Sequence, residues 1–249
     1  MGLFSKKYCD VCGGEIKFLG NRKLEDGNLC KHCANKLSYW FDERRHSTVE
    51  QIKAQLAYRE ENKARVEAFN TTRTFGTRPQ LVVDEDKEQF MIVRTSNLYE
   101  ENPDVIDFSQ VTACEVDIEE YRTEEKRKLD DGREVSFIPP QFEWRFDFNI
   151  IIKVNNPFFD DMKFEVGTVT INTVGNYNNT ASMRSNPRLH PDYIEHDNMS
   201  NEIKDTILGL RKEARQGEEP KKPVKCSACG ATTVPDASGC CEYCGSPLV

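Results

Sequence analysis

Four Cys-x-x-Cys pairs constrain this chain more than any other feature: Cys9/Cys12 and Cys30/Cys33 near its start, Cys226/Cys229 and Cys241/Cys244 near its end. Two thiolates at this spacing hold one side of a tetrahedral Zn²⁺, and a second pair completes the shell. Seventeen residues separate the first two pairs and eleven the last two, gaps that suit a short hairpin returning the chain to the metal. Glycine follows three of the pairs (Gly13, Gly230, Gly245), where a knuckle needs a residue tolerant of positive φ. A redox role would need a lone pair at a helix start within a βαβ pattern, which neither end offers. A disulfide framework is not expected where thiols stay reduced. The spacing therefore predicts two structural Zn²⁺ sites, each filled by four cysteines and leaving no position open for catalysis.

The N-terminal module reads as a knuckle, a hairpin through "EIKFLG" and "RKLEDGN" with Asp26-Gly27 at a turn, and a helical segment opening at "CKHCANKLSYWF". That arrangement describes a treble-clef-like finger over 1–41. Residues 226–249 read as a minimal zinc ribbon, too small to fold on an apolar core, whose metal contributes about 10–16 kcal/mol of gross binding energy to folding. Cys240 abuts Cys241 and reads as a small buried hydrophobe, with replacement of Cys241 as ligand the lesser alternative; Cys114 falls on an alternating strand and reads as core. His32, inside the second pair, is expected outside the ligand set.

Between the modules, Ser47 and Glu50 stand at capping-box spacing ahead of a helix, a connector over 47–70 that docks on the next domain or on a partner helix. From Gln80 the period changes to that of strands. "QLVVDEDKEQFMIVRT" gives two runs about an acidic turn, and "VTACEVDI" alternates with Thr112, Cys114, Val116 and Ile118 on the buried face. "RTEEKRKLDDGREV" reads as an exposed connection, and "EWRFDFNIIIKV" and "MKFEVGTVTIN" as further strands. Asn172–Pro191 reads as a long surface loop. The helix "SNEIKDTILGLRKEARQG" follows, with Ile203, Ile207, Leu210 and Ala214 at helical spacing and Gly217 at its end. The fold class is α+β: a zinc finger, a helix, a mainly antiparallel β domain over 78–216 closed by a helix, a linker over 217–225, and a ribbon. Six or seven strands with one closing helix are similar to pleckstrin-homology-like architecture.

Composition narrows function. The formal charge is −8, which argues against bulk binding of nucleic acid. The bias is local: residues 1–40 carry seven Lys/Arg against four Asp/Glu, whereas 99–131 carry twelve acids against four bases. No apolar run approaches the ~18–20 residues of a membrane span. "MGLFSKKYCD" lacks the h-region of a signal peptide, and Lys6 breaks the myristoylation pattern at Gly2. A cytoplasmic protein is expected.

The stretch "MGLFSKKYCDVCGGEIKFLGNRKLEDGNLCKHCANKLSYWF" resembles the N-terminal zinc module of an uncharacterised bacterial family, common in Firmicutes and of unknown function, and "NIIIKVNNPFFDDMKFEV" is similar to the segment that follows in longer members. The resemblance implies zinc ligation by Cys9, Cys12, Cys30 and Cys33 and implies no activity. The sequence reads best as a non-catalytic intracellular zinc-binding adaptor or scaffold whose partner is another protein. One alternative is nucleic-acid or ribosome association through Lys6, Lys7, Lys17, Arg22, Lys23 and Lys31. Another is lipid-headgroup binding, disfavoured by the acidic stretch at 99–131. "HPDYIEH", with His190, Asp192, Glu195 and His196, is the one cluster resembling a catalytic or metal loop, and a helix start explains it more simply. No catalytic residue is expected. The chain leaves the oligomeric state open.

Overall fold

A computed structural model describes residues 6–172, 186–218, 224–233 and 240–247. The chain divides into two compact units, Met1–Arg211 and Lys212–Val249. The architecture mixes helices with antiparallel sheets. The loop expected over Asn172–Pro191 lies mostly outside the described residues, as does most of the expected linker over 217–225.

The first unit opens with two short hairpins, β1 (Lys7–Tyr8) with β2 (Glu15–Ile16) and β3 (Arg22–Lys23) with β4 (Asn28–Leu29). A single helical turn, α1 (Lys31–Ala34), follows. Helix α2 (Val49–Ala68) begins one residue later than the expected capping box: Thr48, not Ser47, caps it, with the Gln51 side chain closing the box. Ser47 is buried and donates its hydroxyl to the Glu43 carbonyl at 2.8 Å, so it is unavailable as a cap.

Helix α2 is a strut between two cores. Its first half supplies Ile52, with Val49 and Leu56 alongside, to the cluster of Ile16, Leu24, Leu29 and Leu37 around Cys9 and Cys33. Its last residues, Val66 and the following Phe69, pack on Val82, Met91, Val93 and Val105 of the neighbouring sheet. That sheet has the order β5 (Arg73–Phe75), β6 (Gln80–Asp84), β7 (Gln89–Val93) and β8 (Ile106–Asp107), all antiparallel.

A buried polar clamp ties the strut to both sides. Arg59 of α2 donates to the Asp104 carboxylate at 2.7 Å, and Ser38, just after the cysteine module, donates to its other oxygen at 2.7 Å. Arg59 also donates to the carbonyls of Lys36 and Glu101. Asn62 holds the same loop through the carbonyl of Pro103 and the N–H of Val105. Burial raises the Asp104 carboxyl above the usual carboxylate range, against the pull of Arg59 and Ser38. Tyr58 is pushed up to about 12 by burial and by the Asp104 charge.

The second sheet has the order β11 (Asp161–Asn172), β10 (Glu134–Val154), β9 (Val111–Lys128). Here the structure departs from expectation: the supposed connection "RTEEKRKLDDGREV" is strand on both sides of a tight turn at Gly132, whose φ is +84°. Strands β9 and β10 stay paired from Val111 to Lys128, well beyond Glu143, where pairing with β11 ends. On β9, Val111 and Cys114 are buried but Thr112 is exposed, because an irregularity at the strand start leaves Thr112 out of register. Helix α3 (Leu98–Glu101) links β7 to β8. Helix α4 (Pro191–Glu218) follows the sheet and runs past Gly217, where it was expected to stop. Tyr193 of α4 meets Phe146 and Phe148 of β10 edge-on, with centroids 4.8 and 5.1 Å away. Among the described residues no helix is long and apolar enough to cross a membrane.

Candidate metal centres

Each site is assembled from backbone before any ligand is considered. In the first knuckle Cys9 N–H bonds the Gly14 carbonyl at 2.9 Å and Gly13 N–H returns to the Cys9 carbonyl at 2.8 Å. Both C-terminal pairs repeat this pattern: Cys226 with Ala231 and Gly230, Cys241 with Ser246 and Gly245, each bond 2.8 Å. The turn requires positive φ at the residue after the second cysteine, and Gly13, Gly230 and Gly245 stand at +72°, +77° and +69°. The remaining pair, Cys30/Cys33, is built differently. Cys30 is the N-cap of α1, and its sulfur accepts the Cys33 N–H at 3.4 Å, so this pair presents thiols from a helix start.

The sulfurs converge. Cys9, Cys12, Cys30 and Cys33 lie within 4.8 Å of one another, and so do Cys226, Cys229, Cys241 and Cys244. Four sulfurs about 2.3 Å from a tetrahedral zinc stand about 3.8 Å apart, whereas a disulfide needs about 2.05 Å. The observed separations are 3.8 Å for Cys12–Cys30, 3.6 Å for Cys226–Cys244 and 3.7 Å for Cys229–Cys241. All ten cysteines are free thiols. Both clusters are thus positioned to bind a zinc ion each.

Electrostatics supports the same fit. Burial opposes ionisation of Cys9, but N–H groups of Cys12, Cys30 and Val11 outweigh it and hold the thiol at about 6. Cys33 is pushed far up by burial, by hydrogen bonds with Cys30 and Cys12, and by the Cys9 charge. In the C-terminal cluster Ser246 leads in lowering Cys244 to about 6. Cys229 is pulled down by an N–H at Ala231, yet hydrogen bonding with its neighbouring thiols carries it up to about 12. Four sulfurs this close share little negative charge unless a cation sits among them, and a soft-tolerant dication supplies that charge.

Cys241 is in the second cluster and Cys240 is not; Cys240 instead bridges to Pro247 through backbone. His32 and Cys114 join neither cluster. The "HPDYIEH" residues are placed as a helix start: the His190 ring nitrogen accepts the Asp192 N–H at 3.3 Å, and His196 lies over the Phe148 ring at 5.6 Å.

Sequence reasoning missed two residues that orient the first site. Asp10, between the first two ligands, accepts the Asn28 N–H at 2.6 Å and so fixes the knuckle to the strand that leads into Cys30. Gly27 leaves no room for a side chain: a Cβ there would stand 2.6 Å from Val49 and 2.8 Å from the Asp10 carboxylate. An acid inside a ligand loop was the visible signal for Asp10. Nothing in the sequence distinguishes Gly27 from an ordinary turn glycine.

Residues 7–55 match a domain family of unknown function (DUF4428), a span that takes in the first cluster and the start of α2. Comparison with curated proteins gives no match. Comparison with solved structures gives none either.

Proposed function

We propose that the chain is a non-catalytic intracellular adaptor, in which two zinc-folded modules present surfaces to a protein partner. The observation that carries this reading is the closed donor set: each cluster offers four cysteine sulfurs, enough to satisfy a tetrahedral zinc without water or substrate. The N-terminal module, a knuckle and hairpins followed by a ligand-bearing helix start, is read as a treble-clef-like finger. The four-plus-three antiparallel strands followed by a helix support a pleckstrin-homology-like reading of the β domain.

The first module also carries an apolar contact point. Phe18 and Leu19, in the turn between β2 and β3, are 83% and 82% exposed. Leu19 sits at φ +62°, a left-handed conformation that a leucine adopts at a cost. A large side chain held outward on a strained turn supports a role in docking.

The test is a pull-down of the tagged full chain from nuclease-treated native lysate, read by mass spectrometry, beside two variants. Cys226→Ser with Cys229→Ser removes the ribbon, and Phe18→Ser with Leu19→Ser removes the exposed pair while zinc content stays at the wild-type level. A partner that survives nuclease and is lost with one variant supports the adaptor. Recovery only of ribosomal or nucleic-acid-bound proteins, lost with nuclease, replaces it with the nucleic-acid reading.

A further inference from the structure

Strand β9 is the edge of its sheet, and among the described residues nothing pairs with its outer side. Eighteen residues make it about 60 Å long, several times an ordinary strand. Its outer half is solvated: Glu120–Glu124 and Lys126–Lys128 are exposed. A two-stranded ribbon of this kind is marginal alone, and an open edge is ordinarily blunted by charged side chains, a bulge or a proline. Along that half strand β9 has charges of both signs but neither a bulge nor a proline. The long irregularity in the pairing, between Ser136 and Gln141, falls on β10, while β9 runs regularly from Ala113 to Lys128.

The charges along this edge are ordered. From Glu119 to Lys128 the sequence reads EEYRTEEKRK. Two copies related by a two-fold axis through the sheet must oppose one residue to itself, because directly facing residues share a face of the sheet. With Thr123 on the axis, Glu119 faces Arg127, Glu120 faces Lys126 and Arg122 faces Glu124, each twice, and no like charges meet. Neighbouring symmetric registers fail. With Arg122 on the axis, it faces itself and Glu120 faces Glu124; with Glu124 on the axis, it faces itself and Arg122 faces Lys126. Register in a flat polar strand is otherwise weakly specified, so complementarity in one register alone is a selective feature.

We propose that two copies of the chain pair edge to edge along β9, antiparallel and centred on Thr123, so that two three-stranded sheets join into one of six strands. The ladder covers Ile118–Lys128 of each copy. Contacts within each chain are compatible with it. Glu119 accepts Lys163 through Oε1 and the Tyr121 hydroxyl through Oε2, and Glu120 accepts Arg188 through Oε2; a carboxylate oxygen has two lone pairs, so each can take a further donor from the second copy. Arg122 holds its charge centre 3.6 Å from the centre of the Phe142 ring, a contact that uses the face of the guanidinium charge rather than a carboxylate partner.

The test is sedimentation of the zinc-loaded full chain from low to high micromolar concentration. Wild type is expected to dimerise, more weakly in 1 M salt. Lys126→Glu with Arg127→Glu sets acids against Glu120 and Glu119 of the second copy and is expected to weaken dimerisation at least about tenfold. In its own hairpin these positions face Ser136 and Val135, so the substitution brings no like charge against β10. Glu119→Lys with Glu120→Lys fails likewise, but an equimolar mixture of the two variants restores every opposite pair and associates. Thr123→Cys crosslinks to itself on mild oxidation and Tyr121→Cys does not, since only Thr123 faces its own copy. A monomeric wild type at high concentration overturns the proposal. So does a dimer indifferent to both charge reversals, or equal crosslinking at Thr123 and Tyr121.

Discussion

Replacing Arg59 by leucine tests whether the polar clamp, rather than apolar contact alone, fastens the cysteine module to the sheet. The Arg59 and Asp104 side chains are 8% and 2% exposed and meet at 2.7 Å. Without Arg59 the Asp104 carboxylate keeps Ser38 as a donor but has lost its counter-charge, and the Lys36 and Glu101 carbonyls lose a partner. Stranding one member of a buried pair costs about 3–5 kcal/mol, against about 0–1 for an exposed pair. A loss of about 4 kcal/mol is therefore expected in urea unfolding at pH 7 with zinc held constant. The sign with pH follows from Asp104. Burial already raises its folded pKa above the unfolded value near 3.9, and removing Arg59 raises it further. Ionisation then opposes the fold, fully at pH above the folded pKa and not at all below the unfolded one, so the variant's deficit shrinks as pH falls below the folded pKa toward the unfolded one. Wild type measured alongside cancels protonation of the zinc thiols. Adding Asp104→Leu to Arg59→Leu is expected to restore most of the loss. A deficit under about 1 kcal/mol, or one that does not change with pH, refutes the clamp.

Elemental analysis of the purified chain is expected to give two zinc ions, and Cys226→Ser with Cys229→Ser to leave one; an unchanged count would contradict the second site. Gly27→Ala crowds Val49 and the Asp10 carboxylate and is expected to lower stability by about 1–3 kcal/mol, whereas a neutral urea midpoint would mean the hairpin yields freely. Among the described residues neither side-chain polar atom of buried Gln55 has a hydrogen-bond partner, so the isosteric Gln55→Met is expected to raise stability by about 1–3 kcal/mol; a lower midpoint would show that the amide is satisfied. Gly209, inside α4 with open space at its Cβ position, is expected to gain about 0.5–1 kcal/mol on Gly209→Ala, read as a higher melting temperature.

Zinc was legible because its signal is local: a pair of thiols three residues apart and a glycine beyond carry nearly all the geometry that the knuckles use. The clamp was not, because Arg59 and Asp104 are 45 residues apart and each, alone on its element, reads as solvated surface. Capping slipped by one for a narrower reason. Ser47/Glu50 and Thr48/Gln51 satisfy the same spacing, and only the tertiary fact that Ser47 is buried against the Glu43 carbonyl separates them.

The long ribbon was missed for a reason that bears on its role. A strand is recognised by alternation of apolar and polar residues, and that alternation exists only where one face is buried. Beyond Glu143 on β10, where β11 no longer pairs, β9 and β10 are largely solvated, and "RTEEKRKLDDGREV" accordingly carries no period of two. What replaces the apolar pattern is a pattern of charge. Read as composition, residues 99–131 are merely acidic; placed on an edge strand, the same residues order into acid, base, acid, base about Thr123. A strand that has no core to fix its register needs some other instruction, and opposed charges across a two-fold axis are a sufficient one. The feature that hid the ribbon from a hydrophobic reading is thus the one that would choose its partner.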